Sequence, residues 1–154
     1  MIPLSLYGKY SNNKNGKRMM NKNELISCFQ DTLKRAHSGS LNEKTAESCR
    51  TNKIYKEGFV SNVPRRNEHS GVIVECGTTF AAAMKYLHIG KTVVLNFANP
   101  ENPGGGVQYG AMAQEECLCR SSNLYPCLCD ANVFYDYYEY HRNLKNTFYS
   151  DRLI

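Results

Sequence analysis

Three consecutive glycines, Gly104-Gly105-Gly106, followed after seven residues by Gln114-Glu115-Glu116, constrain this chain more than any other stretch. The triplet is reached from an apolar run, Val93-Val94-Leu95, through Asn96-Phe97-Ala98-Asn99-Pro100-Glu101-Asn102-Pro103. Each proline fixes one φ and pushes the residue before it toward extended backbone, so the approach is stiffer than a linker. Without Cβ atoms the N–H groups of the triplet can come close to a ligand, and anions suit such a loop. A glycine triplet alone reads equally well as a surface loop, and an isolated Glu-Glu as a helix start. Their combination, with a helix-favouring segment running from Ala111 to Arg120 or Asn123, points to a site.

The flanking sequence suggests how that loop is held. Gly71 to Gly77 contains a β-branched run that reads as a strand, Thr78 or Thr79 can cap a helix from Phe80 to His88, Gly90 stops it, and Lys91 to Phe97 supplies a second strand. This order makes a βαβ unit with parallel strands and a right-handed crossover. In such α/β sheets the ligand crevice lies beyond the carboxyl ends of the strands, where the 99–110 loop emerges.

Further toward the N-terminus, Leu25, Ile26, Phe29, Leu33 and Ala36 recur at helical spacing between an Asn23 cap and Ser38-Gly39. A second helix is expected from about Asn42 to Arg50. Ser11 to Arg18 reads as a loop, and Pro64-Arg65-Arg66-Asn67 as a solvated basic turn. Near the other end, Ala131 to Lys145 reads as a helix packing Phe134, Tyr135, Tyr137, Tyr138 and Tyr140 against the sheet, with a base-stacking platform as the sharper alternative.

With 154 residues and 42% hydrophobic content, one domain is expected. The net charge of +5 favours anionic partners without naming nucleic acid. The N-terminus shows no charged segment followed by a signal-peptide core, and no stretch approaches the ~20 apolar residues of a membrane span. A cytoplasmic, reduced protein is therefore expected, with Cys28, Cys49 and Cys76 as small core residues. Cys117-Leu118-Cys119 and Cys127-Leu128-Cys129 invite a zinc reading, but structural sites space paired cysteines more widely, and the four histidines show no ligand spacing.

The glycine triplet, seven residues and Gln-Glu-Glu resemble the signature of the poly(ADP-ribose) glycohydrolases, which are macrodomain enzymes. Asn96-Phe97-Ala98-Asn99 before it and Leu118-Cys119-Arg120-Ser121-Ser122-Asn123-Leu124-Tyr125 after it look like the microbial branch. The resemblance is strongest from about Val72 to Tyr149. It implies an α/β fold, a three-layer macrodomain-like sheet with flanking helices. Residues 1–154 would form a single domain, with an N-terminal helical region to about residue 70 and a catalytic region from about 71. Family members continue past the position of Ile154 with further strands, a second phosphate loop and residues around the adenine, so the sheet is expected to be incomplete at its C-terminus.

The resemblance also assigns roles. Glu116 is implied to be the catalytic acid/base and Glu115 to hold ribose hydroxyls. Asn99 would orient the ribose, while Gly104, Gly105 and Gly106 pass the diphosphate and ribose; Val107 and Gln114 complete the substrate-binding set. Neighbouring helical residues point about 100° apart, which agrees with two different roles for the two glutamates. The implied partner is ADP-ribose, its polymer or an ADP-ribosylated macromolecule, with no cofactor, metal or membrane and no direct nucleic-acid binding. A non-catalytic ADP-ribose-binding module and a nucleic-acid or zinc-binding interaction protein remain as alternatives.

Overall fold

A computed structural model describes residues 19–62, 71–145 and 150–154. Helix α1, Lys22–Ala36, starts at a capping box: Asn21 Oδ1 accepts the Glu24 N–H at 3.0 Å and Glu24 Oε2 accepts the Asn21 N–H at 2.8 Å. The cap is thus Asn21 and not Asn23. The helix buries Leu25, Phe29, Thr32 and Ala36, one stripe at helical spacing. Helix α2, Gly39–Thr51, is longer at both ends than its sequence suggests. Helix α3, Thr79–Tyr86, is capped by Thr78, whose Oγ1 accepts the Ala81 N–H at 3.1 Å.

A 3-10 turn, Val107–Tyr109, follows the glycines, and helix α4, Gln114–Ser121, carries both glutamates in its first turn. Helix α5, Leu124–Leu128, takes up Pro126 in its own first turn, where the missing N–H costs nothing. Residues 131–142 form one helical run, α6, made of α-helical Ala131–Val133, π-helical Phe134–Glu139 and α-helical Tyr140–Arg142.

The described residues do not form the expected sheet. Among the described residues, β-pairing amounts to one antiparallel bridge, Tyr55↔Leu153, and the architecture is helical. The three-layer α/β expectation, with its βαβ unit, is therefore wrong for this structure, although its helix is present. The runs at 71–77 and 91–97 join no strand, and Val72, Val74 and Val93 are 87%, 93% and 93% exposed. A parallel pair holds only when both its faces are covered, and α3 leaves these side chains in solvent. Cys76 is likewise exposed and not a core residue, while Cys28 and Cys49 are half-buried.

The core lies elsewhere. Phe29 of α1, Val107 of the 3-10 turn, Cys119 of α4, Leu128 of α5, and Val133 and Tyr138 of α6 form one buried cluster. The aromatic helix thus packs into a helical core and not onto a sheet. Helix α1 packs on α2, α4, α5 and the 3-10 turn. Thr32 Oγ1 donates to the Arg120 carbonyl at 2.7 Å, closing α1 onto the end of α4. Residues 150–154 return to 55–57, where Arg152 Nε meets both Glu57 carboxylate oxygens at 2.9 Å. The basic turn at 64–67 and the loop at 11–18 lie outside the described residues.

Candidate active site

The glycine bend is anchored from below and closed from above. Val107, directly after it, has no exposed surface, so the bend hangs from the core by a fixed point. Gly104 and Gly105 both adopt positive φ, 67° and 56°, a region that side chains strain to enter. Space is the second reason for glycine. A methyl group on Gly105 would stand 2.5 Å from Glu116 Oε1 and 3.4 Å from Glu115 Oε2, and one on Gly104 would stand 2.7 Å from the Tyr125 ring.

Both carboxylates of α4 therefore converge on the bend, held by different partners. Glu115 Oε2 accepts the Asn99 N–H at 2.8 Å and Oε1 accepts Asn96 Nδ2 at 3.1 Å. Glu116 Oε1 accepts the Gly106 N–H at 2.9 Å. Glu116 Oε2 and Asn96 Oδ1 are buried and have no hydrogen-bond partner among the described residues. Such orphaned buried acceptors are uncommon in folded proteins and mark places where a ligand can supply the missing bond.

Burial pushes the Glu115 carboxyl above the usual range, and the neighbouring Glu116 adds to this; the Asn99 and Gly104 N–H groups and the Asn96 amide pull the other way. Burial also raises the Cys119 thiol, and both glutamates reinforce it, so this floor residue is an uncharged thiol. Tyr125, pushed up to about 12 by burial first and by Cys129 next, is a neutral phenol that accepts a hydrogen bond from Gln108 Nε2.

The other residues singled out in the sequence are brought to the same place, with different work. Asn99 Oδ1 accepts the N–H groups of Glu101 and Asn102 at 2.9 and 2.8 Å, so its side chain shapes the turn before the glycines. Gln114 is a latch: its Oε1 accepts the Phe97 N–H at 2.9 Å, and its Nε2 donates to the Leu95 carbonyl at 2.7 Å and to Thr79 Oγ1 at 3.3 Å. The Val107 side chain faces the core, leaving only its backbone at the bend. Asn96, Tyr125 and Cys119 also belong to the site. Asn96 lies inside the Asn-Phe-Ala-Asn stretch, a signal available in the sequence; nothing local marks Tyr125 as the floor of a loop far away in the chain.

The paired cysteines do not converge on a metal. Cys117 and Cys129 are exposed while Cys119 and Cys127 are buried, and among the described residues no group of three or more His, Cys, Asp or Glu side chains is placed to hold an ion.

A family model for the microbial-type PARG catalytic domain matches residues 20–154. The chain belongs to this family. Among solved structures it is similar to the X-ray crystal structure of poly(ADP-ribose) glycohydrolase (PARG) from Thermomonospora curvata, at 27% identity and a TM-score of 0.62. The match covers 84% of this chain and 53% of that one, so the chain spans about half the length of the PARG structure it matches. Comparison with curated proteins returns no match. Among the described residues, no helix is long and apolar enough to cross a membrane.

Proposed function

We propose that this microbial-type PARG-family chain is a single-domain glycohydrolase that cleaves the ribose–ribose or a related glycosidic bond of ADP-ribose polymer or of an ADP-ribosylated macromolecule. Cleaving a glycosidic bond requires protonation of the leaving oxygen and activation of water against an oxocarbenium-like centre. Glu116 performs both in turn: its carboxyl gives a proton to the departing ribose oxygen, and the resulting carboxylate takes one from the attacking water. Glu115 holds ribose hydroxyls, and Asn99 orients the ribose through its Nδ2. The side-chain-free backbone of Gly104, Gly105 and Gly106 passes close to the diphosphate and ribose, and Val107 and Gln114 keep the bend and its approach in place. No membrane or direct nucleic-acid contact enters this scheme, and the reducing cytoplasm suits the cysteine-rich chain.

One observation carries the reading. Glu116 is nine-tenths buried, fixed through Oε1 to the glycine bend, and presents an Oε2 that nothing among the described residues satisfies. A purely structural carboxylate would not be buried with one oxygen orphaned, because that costs about 1–3 kcal/mol.

The test compares wild type with Glu116→Gln on ADP-ribosylated substrate. The variant, equal in shape, is expected to lose roughly 10²–10⁴-fold in release of ADP-ribose while keeping its circular dichroism spectrum. Equal release by both proteins would overturn the assignment. Calorimetric binding of ADP-ribose with no product from either protein would instead establish the non-catalytic binding module.

A further inference from the structure

Two thiols that the glycine bend does not use face each other across the packed helices α2 and α5. Cys49, in the last turn of α2, and Cys127, in α5, are both free, with Sγ atoms 3.9 Å apart. The two helices are pinned beside the pair: Asn52, the residue that ends α2, donates its Nδ2 to the Cys127 carbonyl at 2.9 Å. A disulfide places its sulfurs about 2.05 Å apart, so the remaining gap is of the size that side-chain rotation closes.

We propose that Cys49 and Cys127 form a reversible intramolecular disulfide when the protein meets a peroxide. Cys49 is half-buried and Cys127 is buried, so oxidant reaches Cys49 first. The Cys49 thiolate attacks one oxygen of hydrogen peroxide, forming an S–O bond while the O–O bond breaks and hydroxide leaves; that hydroxide takes up the proton released when Cys49 ionised. The Cys127 sulfur then attacks the Cys49 sulfur. The S–S bond forms, the S–O bond breaks, and the departing oxygen leaves as water with the Cys127 proton. Two thiols and one peroxide give one disulfide and two waters. Burial first, and Cys49 next, push the Cys127 thiol up to about 12, so Cys127 stays a protonated thiol that does not meet oxidant first, and its place 3.9 Å from Cys49 is what brings it to the second step.

The cross-link would bind α5 to α2 at a point two residues from Tyr125, whose ring lies under Gly104. Oxidation is thereby coupled to the floor of the glycine bend, whatever bond the site cleaves. Cys129, exposed and on the same stretch as Cys127, is the competing thiol.

Treating the whole chain with hydrogen peroxide, alkylating the remaining thiols and mapping peptides without reductant tests this. The expected result is the loss of two of the seven alkylatable thiols, a linked Cys49–Cys127 peptide pair two hydrogens lighter than its parts, and full recovery with dithiothreitol. The thermal midpoint of the oxidised protein should rise by roughly 5 °C, since the link closes a long loop. Cys129→Ser should behave as wild type, whereas Cys49→Ser, at a half-buried position that tolerates the change, should show neither the pair nor the rise. A disulfide mapped to any other pair, a link between two chains, or seven thiols still alkylatable after peroxide would overturn the proposal.

Discussion

Glu115 and Glu116 are neighbours in sequence with separate attachments, and that separation makes their contributions measurable one at a time. Glu115 carries the raised carboxyl, whose unfolded value is 4.5. A carboxyl protonated more readily in the folded protein favours folding fully below its unfolded value, and that contribution is lost as pH rises through the folded one. The thermal midpoint of wild type should therefore fall relative to that of Glu115→Gln as pH rises from about 4, the lowered carboxyls of Glu57 and Glu75 being common to both proteins; parallel curves would sink this account. Gly105 tests the bend itself. Gly105→Ala adds a methyl group 2.5 Å from Glu116 Oε1 at a φ of 56°. The variant should lose about 1–2 kcal/mol of stability by denaturant titration and, because the Glu116 carboxyl must move, a larger share of its activity. A Gly105→Ala protein with wild-type stability would mean that the bend relaxes freely.

Among the elements, α4 and its approach show what local sequence discloses and what it does not. The glycine triplet, its stiff proline-bearing entry and a helix opening on Glu115 and Glu116 all follow from backbone freedom and helix-end electrostatics, properties that act within a few residues. The two strands do not follow. A β-branched run states a preference for extended backbone, but its partner must come from elsewhere in the chain, and no periodicity in Val72-Ile73-Val74 or Val93-Val94-Leu95 identifies one. Tyr125 and Arg120 were hidden for the same reason: their roles depend on what the fold brings to them, the Gly104 bend in one case and the Ala111 carbonyl, 2.6 Å from Arg120 Nη1, in the other. Gln114 joins the legible element to the illegible one, since its side chain holds 95–97 against α3 through three hydrogen bonds. Gln114→Ala should remove about 1–3 kcal/mol of local stability, read as faster amide exchange at Phe97 with exchange in α1 unchanged. Equal slowing or quickening across both regions would show that the latch is not local.

At the scale of the whole molecule, the site and the apolar runs separate. Among the described residues, the side chains nearest the glycine bend are those of Ala111, Glu115, Glu116, Cys119 and Tyr125, and the core that anchors it is built from helices, while Val74 and Val93 each stand 93% exposed in segments that form no β-pairing. Burial of apolar surface is what makes a side chain contribute to folding, so these two contribute little despite their sequence. Their substitution by a charged residue should therefore be nearly neutral for the fold. The Val74→Lys, Val93→Lys double variant should keep its stability within about 0.5 kcal/mol per site and retain whatever release of ADP-ribose the wild type shows. It should also bind less of a dye that reports exposed apolar surface. A loss of several kcal/mol would instead mean that these runs are covered in solution, and a helical architecture without a sheet would no longer describe the folded chain.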